Sequence, residues 1–187
     1  MKEPDRARMA RAVRDFLGAA GLPRTGELKA TPRRVAEAWS EEFLDGYQAD
    51  PERILAEVHP TRSRELVVAK GLDFHSMCPH HLLPYRGLAH VGYLPEGAVV
   101  GFGRLGTLVD CFAHRLVLQE EVADEVTDAL MAELGASGAA CLLDAEQSCM
   151  TMRGSKRRGA RTITRSFKGR LAKDPRLQRQ FLEAIRG

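Results

Sequence analysis

The chain lacks the features that would assign it to a membrane, secreted or nucleic-acid-binding class. No apolar run approaches the ~20 residues of a membrane-spanning helix, and the N-terminus shows no apolar segment typical of a signal peptide. The four cysteines in 187 residues are too few for a disulfide framework. Aromatic residues make up only 6%, and no nucleic-acid-binding signature is present. These absences predict a cytoplasmic protein with neither a membrane nor a nucleic-acid partner.

The composition is that of a globular domain with one unusual basic segment. Hydrophobic residues make up 44% and charged residues 28% of the chain, which suffices for one domain with a full core. The net charge is only +3, but residues 153–170 contain eight Lys or Arg and no Asp or Glu. Such a run is usually a solvated face. Because it directly follows Cys149, it fits a phosphate-rich small substrate equally well.

Hydrophobic periodicity predicts helices in the first third and mixed elements after it. Helices are predicted over 3–20, from Thr31 as N-cap onwards, and from Asp50 to about Val58. The remaining elements are predicted strands at 65–74, 86–95, 138–146 and 160–168, and helices at 104–115, 119–134 and 175–185.

This order predicts an α+β fold rather than a series of βαβ units. We expect an N-terminal helical region over 1–60 and a second region over 61–187 with the order ββααββ. A sheet of four strands has open edges, and such edges are commonly paired with another subunit. The sequence therefore predicts a homo-oligomer.

Residues 76–84 concentrate thiol and imidazole groups. Cys78, His80 and His81 lie within four residues, and thiolate and neutral imidazole are ligands suited to Zn²⁺. Adjacent histidines cannot easily point the same way, so we expect one to bind the metal and its neighbour to act as an acid or base. Cys149 follows a later strand-like run. Cys78, His81 and Cys149 together would leave a fourth zinc position open, which is typical of catalytic sites.

Other cysteines and histidines have structural interpretations. Cys111 and Cys141 lie in apolar segments and are predicted to be small core residues. His75 and His114 are predicted to lie on the surface, as is His59. His90 falls within a predicted strand, where a structural role is expected.

Longer motifs carry a resemblance to a known enzyme family. The chain resembles GTP cyclohydrolase I in the segments 31–36, 78–84, 87–95, 119–120, 149–154 and 181–182. This resemblance implies the T-fold, in which ββααββ units join their sheets between subunits into a barrel. It also implies a decamer of two stacked pentameric rings, with active sites at the subunit interfaces.

The resemblance also implies roles for residues around the metal. Cys78, His81 and Cys149 correspond to zinc ligands, and His80 corresponds to the acid/base beside the imidazole ring of the purine. An imidazole with a pKa near neutrality can protonate a departing ring nitrogen.

Further roles implied by the resemblance concern GTP itself. Glu120 corresponds to the carboxylate that binds the guanine edge, with Gln119 beside it. A carboxylate can accept hydrogen bonds from guanine N1–H and from its 2-amino group. Arg153, Arg104 and Arg34 correspond to cations on the triphosphate, for which guanidinium groups are well suited.

The chain departs from the family pattern at several positions. Gln147 replaces a second active-site His, and Gln cannot take up a proton at neutral pH. Gly103 replaces a Ser whose hydroxyl the family uses in the later sugar rearrangement. Further replacements lie at Pro79, Arg104, Thr107 and Glu121.

Three functions follow from these residues, and the breadth of the family resemblance keeps the first of them as the main prediction. The first is a zinc-dependent GTP cyclohydrolase I that makes 7,8-dihydroneopterin triphosphate for folate or pterin synthesis. The second is a diverged hydrolase that opens the ring of GTP, or of a related purine nucleotide, and stops at a formamidopyrimidine or diaminopyrimidine nucleotide. The third is a paralogue that binds GTP without catalysis. The zinc ligands and His80 argue against the third, and Gln147 with Gly103 favours the second.

Overall fold

The first part of the chain is built from short helices. The computed structural model describes residues 2–23, 25–154 and 156–186. Its first helices are α1 (Arg6–Ala19), α2 (Thr31–Ala38) and α3 (Pro51–Leu55). The linking turns are 3-10 helical at Gly26–Lys29 and Asp45–Tyr47, and π-helical at Trp39–Phe43. Among the residues described, no helix is both long and apolar enough to cross a membrane.

The prediction of Thr31 as an N-cap is wrong by one residue. Ala30 occupies the cap position, and Thr31 is the first residue of α2. The Thr31 hydroxyl donates to the carbonyl of Glu27 at 3.5 Å. The preceding 3-10 turn therefore supplies the partner of this hydroxyl, which sequence reasoning had assigned to the first backbone N–H groups of α2.

The rest of the chain forms a sheet with helices around it. Its strands are β1 (Val58–Pro60), β2 (Val67–Met77), β3 (Pro84–Leu94), β4 (Ala98–Val100), β5 (Gly138–Gln147) and β6 (Thr162–Lys168). Its helices are α4 (Phe102–Ala113), α5 (Gln119–Ala132), α6 (Ser148–Thr151), α7 (Gly169–Lys173) and α8 (Pro175–Ile185). The main sheet has the antiparallel order β2-β3-β5-β6. The chain order β2-β3-α4-α5-β5-β6 is the predicted ββααββ unit, which confirms the α+β T-fold class.

Several short elements were not predicted. β1 pairs with β4 in a small ribbon, with Val58 opposite Val100, although the sequence predicted a helix reaching Val58. α6 and α7 have four and five residues, which is too short to show a helical period. The boundary expected after residue 60 falls at the end of β1 and stays a prediction.

One face of the sheet is covered by α4 and α5. Along β3 the side chains of Tyr85, Ala89, Val91 and Tyr93 are buried because alternate residues of a strand point to the same face. These side chains pack with the apolar faces of α4 and α5, formed by Leu105, Leu108, Val109, Val122, Val126 and Leu130.

Part of the opposite face is covered by α7 and α8. Phe181 of α8 is fully buried in a second cluster with Leu94, Ala140 and Leu171. A Cβ at Gly92 would lie 2.8 Å from the Phe181 ring, so the packing of α8 requires a glycine at this position of β3. The rest of this face is open and forms a groove of about 670 Å³.

The structural predictions for cysteine and histidine have mixed outcomes. Cys111 and Cys141 are buried, as predicted. His75 and His114 are partly buried rather than exposed, and their ring centroids lie 4.3 Å apart. The His114 side chain is only 13% exposed and its Nδ1 lies 2.9 Å from Asp45 Oδ1. The loop that carries Asp45 covers this pair, and that contact joins segments far apart in sequence.

Candidate metal centre and substrate cavity

A tight turn presents the Cys-His-His group at the end of the β2–β3 hairpin. The Cys78 N–H donates to the Leu83 carbonyl, and the Leu82 N–H donates to the Cys78 carbonyl, both at 2.9 Å. Leu82 has φ of 53°, a left-handed conformation that costs about 1–2 kcal/mol in a residue with a Cβ. The turn buries Cys78 and leaves His80 and His81 exposed.

Strand register brings Cys149 to the same place. β3 and β5 are antiparallel, and Tyr85 at the start of β3 pairs with Gln147 at the end of β5. The one-turn helix α6 begins directly after Gln147 and contains Cys149. The Thr151 hydroxyl donates to Glu146 Oε1 at 2.9 Å, and this bond ties α6 to the end of the strand.

Cys78, His81 and Cys149 could hold a metal ion. One ligand atom from each lies within 4.8 Å of the others, and Cys78 Sγ lies 3.9 Å from His81 Nδ1. Around a tetrahedral zinc with bonds of about 2.0–2.3 Å, neighbouring ligand atoms are roughly 3.3–3.8 Å apart. The three groups therefore fit zinc after a small movement of the side chains.

The geometry separates the roles of the two histidines. His80 Nδ1 is also close to Cys78 Sγ, at 3.8 Å, yet among the described residues the three-ligand group that includes Cys149 contains His81 only. The two rings are inclined by 69° with centroids 6.2 Å apart, so they point in different directions. His80 lines the neighbouring cavity, where it can reach a bound molecule.

The electrostatics of the thiols favour a bound cation. Burial raises the pKa of the Cys149 thiol, and the adjacent Cys78 thiol raises that pKa further. Two thiolates at this separation repel each other, whereas a coordinated metal ion keeps both deprotonated. The donor set thus fits a borderline-soft divalent ion.

A cavity of about 210 Å³ adjoins the candidate ligands. Its wall is formed by Cys78, Pro79, His80, Tyr85, Val117, Leu118, Gln119, Glu120, Gln147, Cys149 and Thr162. Glu120 is exposed in the first turn of α5, while Gln119 beside it is buried. Pockets that enclose whole ligands usually measure about 300–1,000 Å³, so this cavity has room for a base but not for a nucleoside triphosphate.

Tyr85 closes one side of this cavity. Its hydroxyl donates to the Val117 carbonyl at 3.1 Å, and burial raises the pKa of Tyr85. The phenol therefore stays neutral and acts as a fixed link between β3 and the segment that leads into α5.

Gly103 and Arg104 lie away from this cavity. They line a separate cavity of about 450 Å³ together with Gly101 and Thr107. Arg104 Nη2 donates to Glu57 Oε2 at 2.7 Å, and this hydrogen bond lowers the pKa of Glu57. The helix α4 has 12 residues and is roughly 18 Å long. Gly103 and Arg104 lie in its first turn, whereas α5 follows its C-terminal end.

The chain is similar to known proteins over nearly its whole length. A family model described as GTP cyclohydrolase I matches residues 9–186. The chain belongs to the GTP cyclohydrolase I family. The GTP cyclohydrolase 1 of Ralstonia nicotianae is 41% identical over 184 residues, which cover 98% of this chain and 88% of that protein. That of Chromobacterium violaceum is 42% identical over 185 residues, with coverage of 97% and 88%.

One further relative and one solved structure are also similar to this chain. The GTP cyclohydrolase 1 of Dehalococcoides mccartyi strain BAV1 is 40% identical over 184 residues, or 97% of each chain. Among solved structures, the apo form of the archaeosine synthase QueF-Like aligns with a TM-score of 0.48 and 21% identity, over 58% of this chain and 97% of that chain. The GTP cyclohydrolase I family is a family of enzymes, hydrolases that act on GTP.

The other arginines that the resemblance assigns to the triphosphate lie on the surface of the chain. Arg34 in α2 and Arg153 after α6 are exposed, and neither lines the 210 Å³ cavity. Within the basic segment, Arg161 pairs with Asp144 at 2.6 Å and Lys168 pairs with Asp128 at 3.0 Å. This segment is therefore partly neutralised by the chain itself.

Sequence reasoning missed Glu146 and also the hydrogen bonds by which Gln119 holds the site together. Glu146 was not singled out, yet its carboxylate accepts the bond from Thr151 that ties α6 to β5. The Gln119 amide donates to the carbonyls of Leu143 and Thr162 at 3.1 and 2.9 Å. These contacts join different strands and turns, so no local pattern could have indicated them.

Proposed function

We propose that the chain is a zinc-dependent hydrolase that attacks C8 of GTP, opens the imidazole ring and releases formate to give 7,8-dihydroneopterin triphosphate. The observation that carries this proposal is the group of Cys78, His81 and Cys149 beside a cavity lined by His80 and Glu120. Relatives named GTP cyclohydrolase 1, which match 97–98% of this chain, support it.

Ring opening requires water addition at C8 and a proton for the nitrogen that leaves. A zinc ion at the three ligands supplies a Lewis acid and lowers the pKa of a water molecule. His80 lies at the mouth of the cavity next to Cys78, where its imidazole can deliver a proton to the ring nitrogen as the C8–N9 bond breaks.

The guanine base is recognised by the first turn of α5. The Glu120 carboxylate accepts hydrogen bonds from guanine N1–H and from the 2-amino group, a pair of donors that adenine does not offer. The size of the cavity, about 210 Å³, suits the base alone. The ribose and triphosphate therefore extend outside it, towards the exposed cations.

A complete site then needs more than one copy of the chain. Arg104 lines a different cavity from the candidate ligands. Among the described residues, neither edge strand, β2 or β6, pairs with a further strand on its outer side, apart from the single bridge between Met77 and Leu116. We propose that the sheets join between copies, decameric as in the family resemblance. Arg104 or Arg34 of one copy then faces the cavity of another and contacts the triphosphate.

We predict from this arrangement that the protein does not exist as a 20.7 kDa monomer in solution. Light scattering at micromolar concentration should give a single assembly of about ten chains, because pairing of edge strands buries otherwise unpaired backbone groups. A stable monomer that turns over GTP would contradict the shared site.

A second candidate function is favoured by Gln147. An amide cannot cycle a proton, and loss of a general acid or base typically slows a step by about 10²–10⁴-fold. Deformylation and the later ring closure both need proton transfers, and Gly103 offers no hydroxyl for them. The chain could therefore release a ring-opened formamidopyrimidine nucleotide as its product.

A time course with GTP separates the two candidates. We expect zinc-loaded wild-type protein to form the ring-opened triphosphate before any pterin, detected by mass spectrometry together with a formate assay. Gln147→His should shift the products towards formate and dihydroneopterin triphosphate, whereas the exposed control Gln180→His on α8 should not. Immediate stoichiometric formate from the wild type would contradict the accumulation and support the full cyclohydrolase reaction.

A further inference from the structure

The side chain of Gln119 is buried and hydrogen-bonded in the interior of the protein. The residue is 3% exposed, and its Nε2 donates to the Leu143 carbonyl at 3.1 Å and to the Thr162 carbonyl at 2.9 Å. Backbone carbonyls only accept hydrogen bonds, so both amide protons are used and the orientation of the amide is determined. Gln119 Oε1 must then face the remaining neighbour, Gln147.

This arrangement dictates the orientation of Gln147 in turn. Gln119 Oε1 is an acceptor, and Gln147 Nε2 donates to it at 2.7 Å. The amide of Gln147 cannot be reversed without placing two acceptors against each other. Its Oε1 therefore points away from Gln119, and no hydrogen bond to it is found among the described residues. Gln147 lines the cavity, two positions before Cys149.

We propose that Gln119 is a positioning residue that contacts no base, and that it holds Gln147 so that Gln147 Oε1 accepts a hydrogen bond from the ring-opened form of the substrate. The inference rests on the proposed function and adds to it the species that Gln147 recognises. An amide in this position selects by hydrogen bonding and not by proton transfer.

The chemistry of ring opening explains this selectivity. In GTP neither N7 nor N9 carries hydrogen, so the imidazole edge offers no N–H donor to Gln147. When one water adds and the C8–N9 bond breaks, the water oxygen becomes the formyl oxygen, and its two protons end on N7 and N9. The formamide N7–H is thus a new donor, and an acceptor held in place beforehand gains a partner only after this step.

The test uses two analogues of GTP that differ at position 7. In 8-oxoGTP, N7 carries a hydrogen and can donate, whereas 7-deazaGTP has only a C–H there. Calorimetry on zinc-loaded wild-type protein should show a preference for 8-oxoGTP, and Gln147→Met should reduce that preference by roughly tenfold, the effect of one net hydrogen bond. Gln119→Met should reduce it to a similar extent, and the double variant should lose no more than either single variant.

Further measurements separate positioning from direct contact and from misfolding. Gln119→Met should also lower the thermal midpoint, because two strand carbonyls lose their donor, while Gln147→Met should not. If Gln119→Met does not fold, Gln147→Asn replaces it in the test. The shorter side chain moves the amide of residue 147 away from Gln119 and leaves the buried hydrogen bonds of Gln119 intact. This variant should also lose the preference for 8-oxoGTP.

Three results would overturn the inference, and two of them leave the proposed function intact. An undiminished preference for 8-oxoGTP in both Gln147 variants would show that Gln147 is not the acceptor. Weaker binding of both analogues to Gln119→Met alone would show that Gln119 reads the base itself. Failure of wild-type protein to bind either analogue would instead overturn the proposed guanine-nucleotide function, and this inference with it.

Discussion

Cys149→Ala should remove most of the bound zinc and nearly all of the activity. The variant keeps Cys78 and His81, but two protein ligands do not hold zinc against dialysis as three do. We expect metal content to fall from about one zinc per chain to less than about a tenth. Because zinc contributes several kcal/mol to stabilisation of the transition state, ring opening should slow by about 10³-fold or more. Elemental analysis and a GTP depletion assay measure both effects.

A matched control for this variant lies in the same strand region. Cys141 is a fully buried thiol of β5 that belongs to no three-ligand group among the described residues. Cys141→Ala should therefore retain its zinc and its activity while losing some stability to the cavity it leaves. Full zinc content in Cys149→Ala would refute the proposed ligand set, whatever its activity.

Glu120→Ala should weaken the binding of GTP strongly and remove its preference over ATP. Removal of one partner from a charged hydrogen bond that the bound base buries typically costs about 2–5 kcal/mol, which corresponds to a roughly 30-fold to several-thousand-fold rise in Kd. ATP carries an amino group where GTP has a carbonyl and lacks the 2-amino group, so its weak binding should change little. Calorimetry on metal-free protein measures both affinities without turnover.

The control for Glu120 removes the same charge from the other end of the helix. Glu133 is exposed at the C-terminal cap of α5, and Glu133→Ala should leave both affinities unchanged. The GTP affinity of Glu120→Gln should fall between those of the wild type and Glu120→Ala, because an amide can accept from only one of the two guanine donors. Equal GTP affinity in all four proteins would show that another group reads the base.

The helices and long strands were predictable because their burial is periodic. α5 was placed within two residues of its observed end because Val122, Val126 and Leu130 recur on one face, and β3 shows the same regularity with a period of two. The three- and four-residue elements β1, β4 and α6 escaped prediction. A segment that short does not complete enough periods to be distinguished from a loop.

The candidate site was predictable to a different extent at each residue. Cys78, His81 and Cys149 were recognisable from ligand chemistry and from the family motifs, and the structure brings them together. Gly103 and Arg104, which the resemblance also placed at the substrate, lie in another cavity, because a resemblance in sequence does not fix where a residue lies in the folded chain. The partial burial of His75 and His114 was missed for a similar reason, since the turn that carries Asp45 is distant in sequence.

The sequence by itself determined the α+β class, the order ββααββ and the types of ligand at the metal centre, because periodic burial and donor chemistry are local properties. Only the tertiary structure decided which histidine joins both cysteines, how the Tyr85–Gln147 register brings Cys149 to the β2–β3 turn, and which way the amide of Gln147 faces. These outcomes depend on strand register and on hydrogen bonds between residues at least 24 positions apart. Such contacts exist only once the sheet has closed around the start of α5.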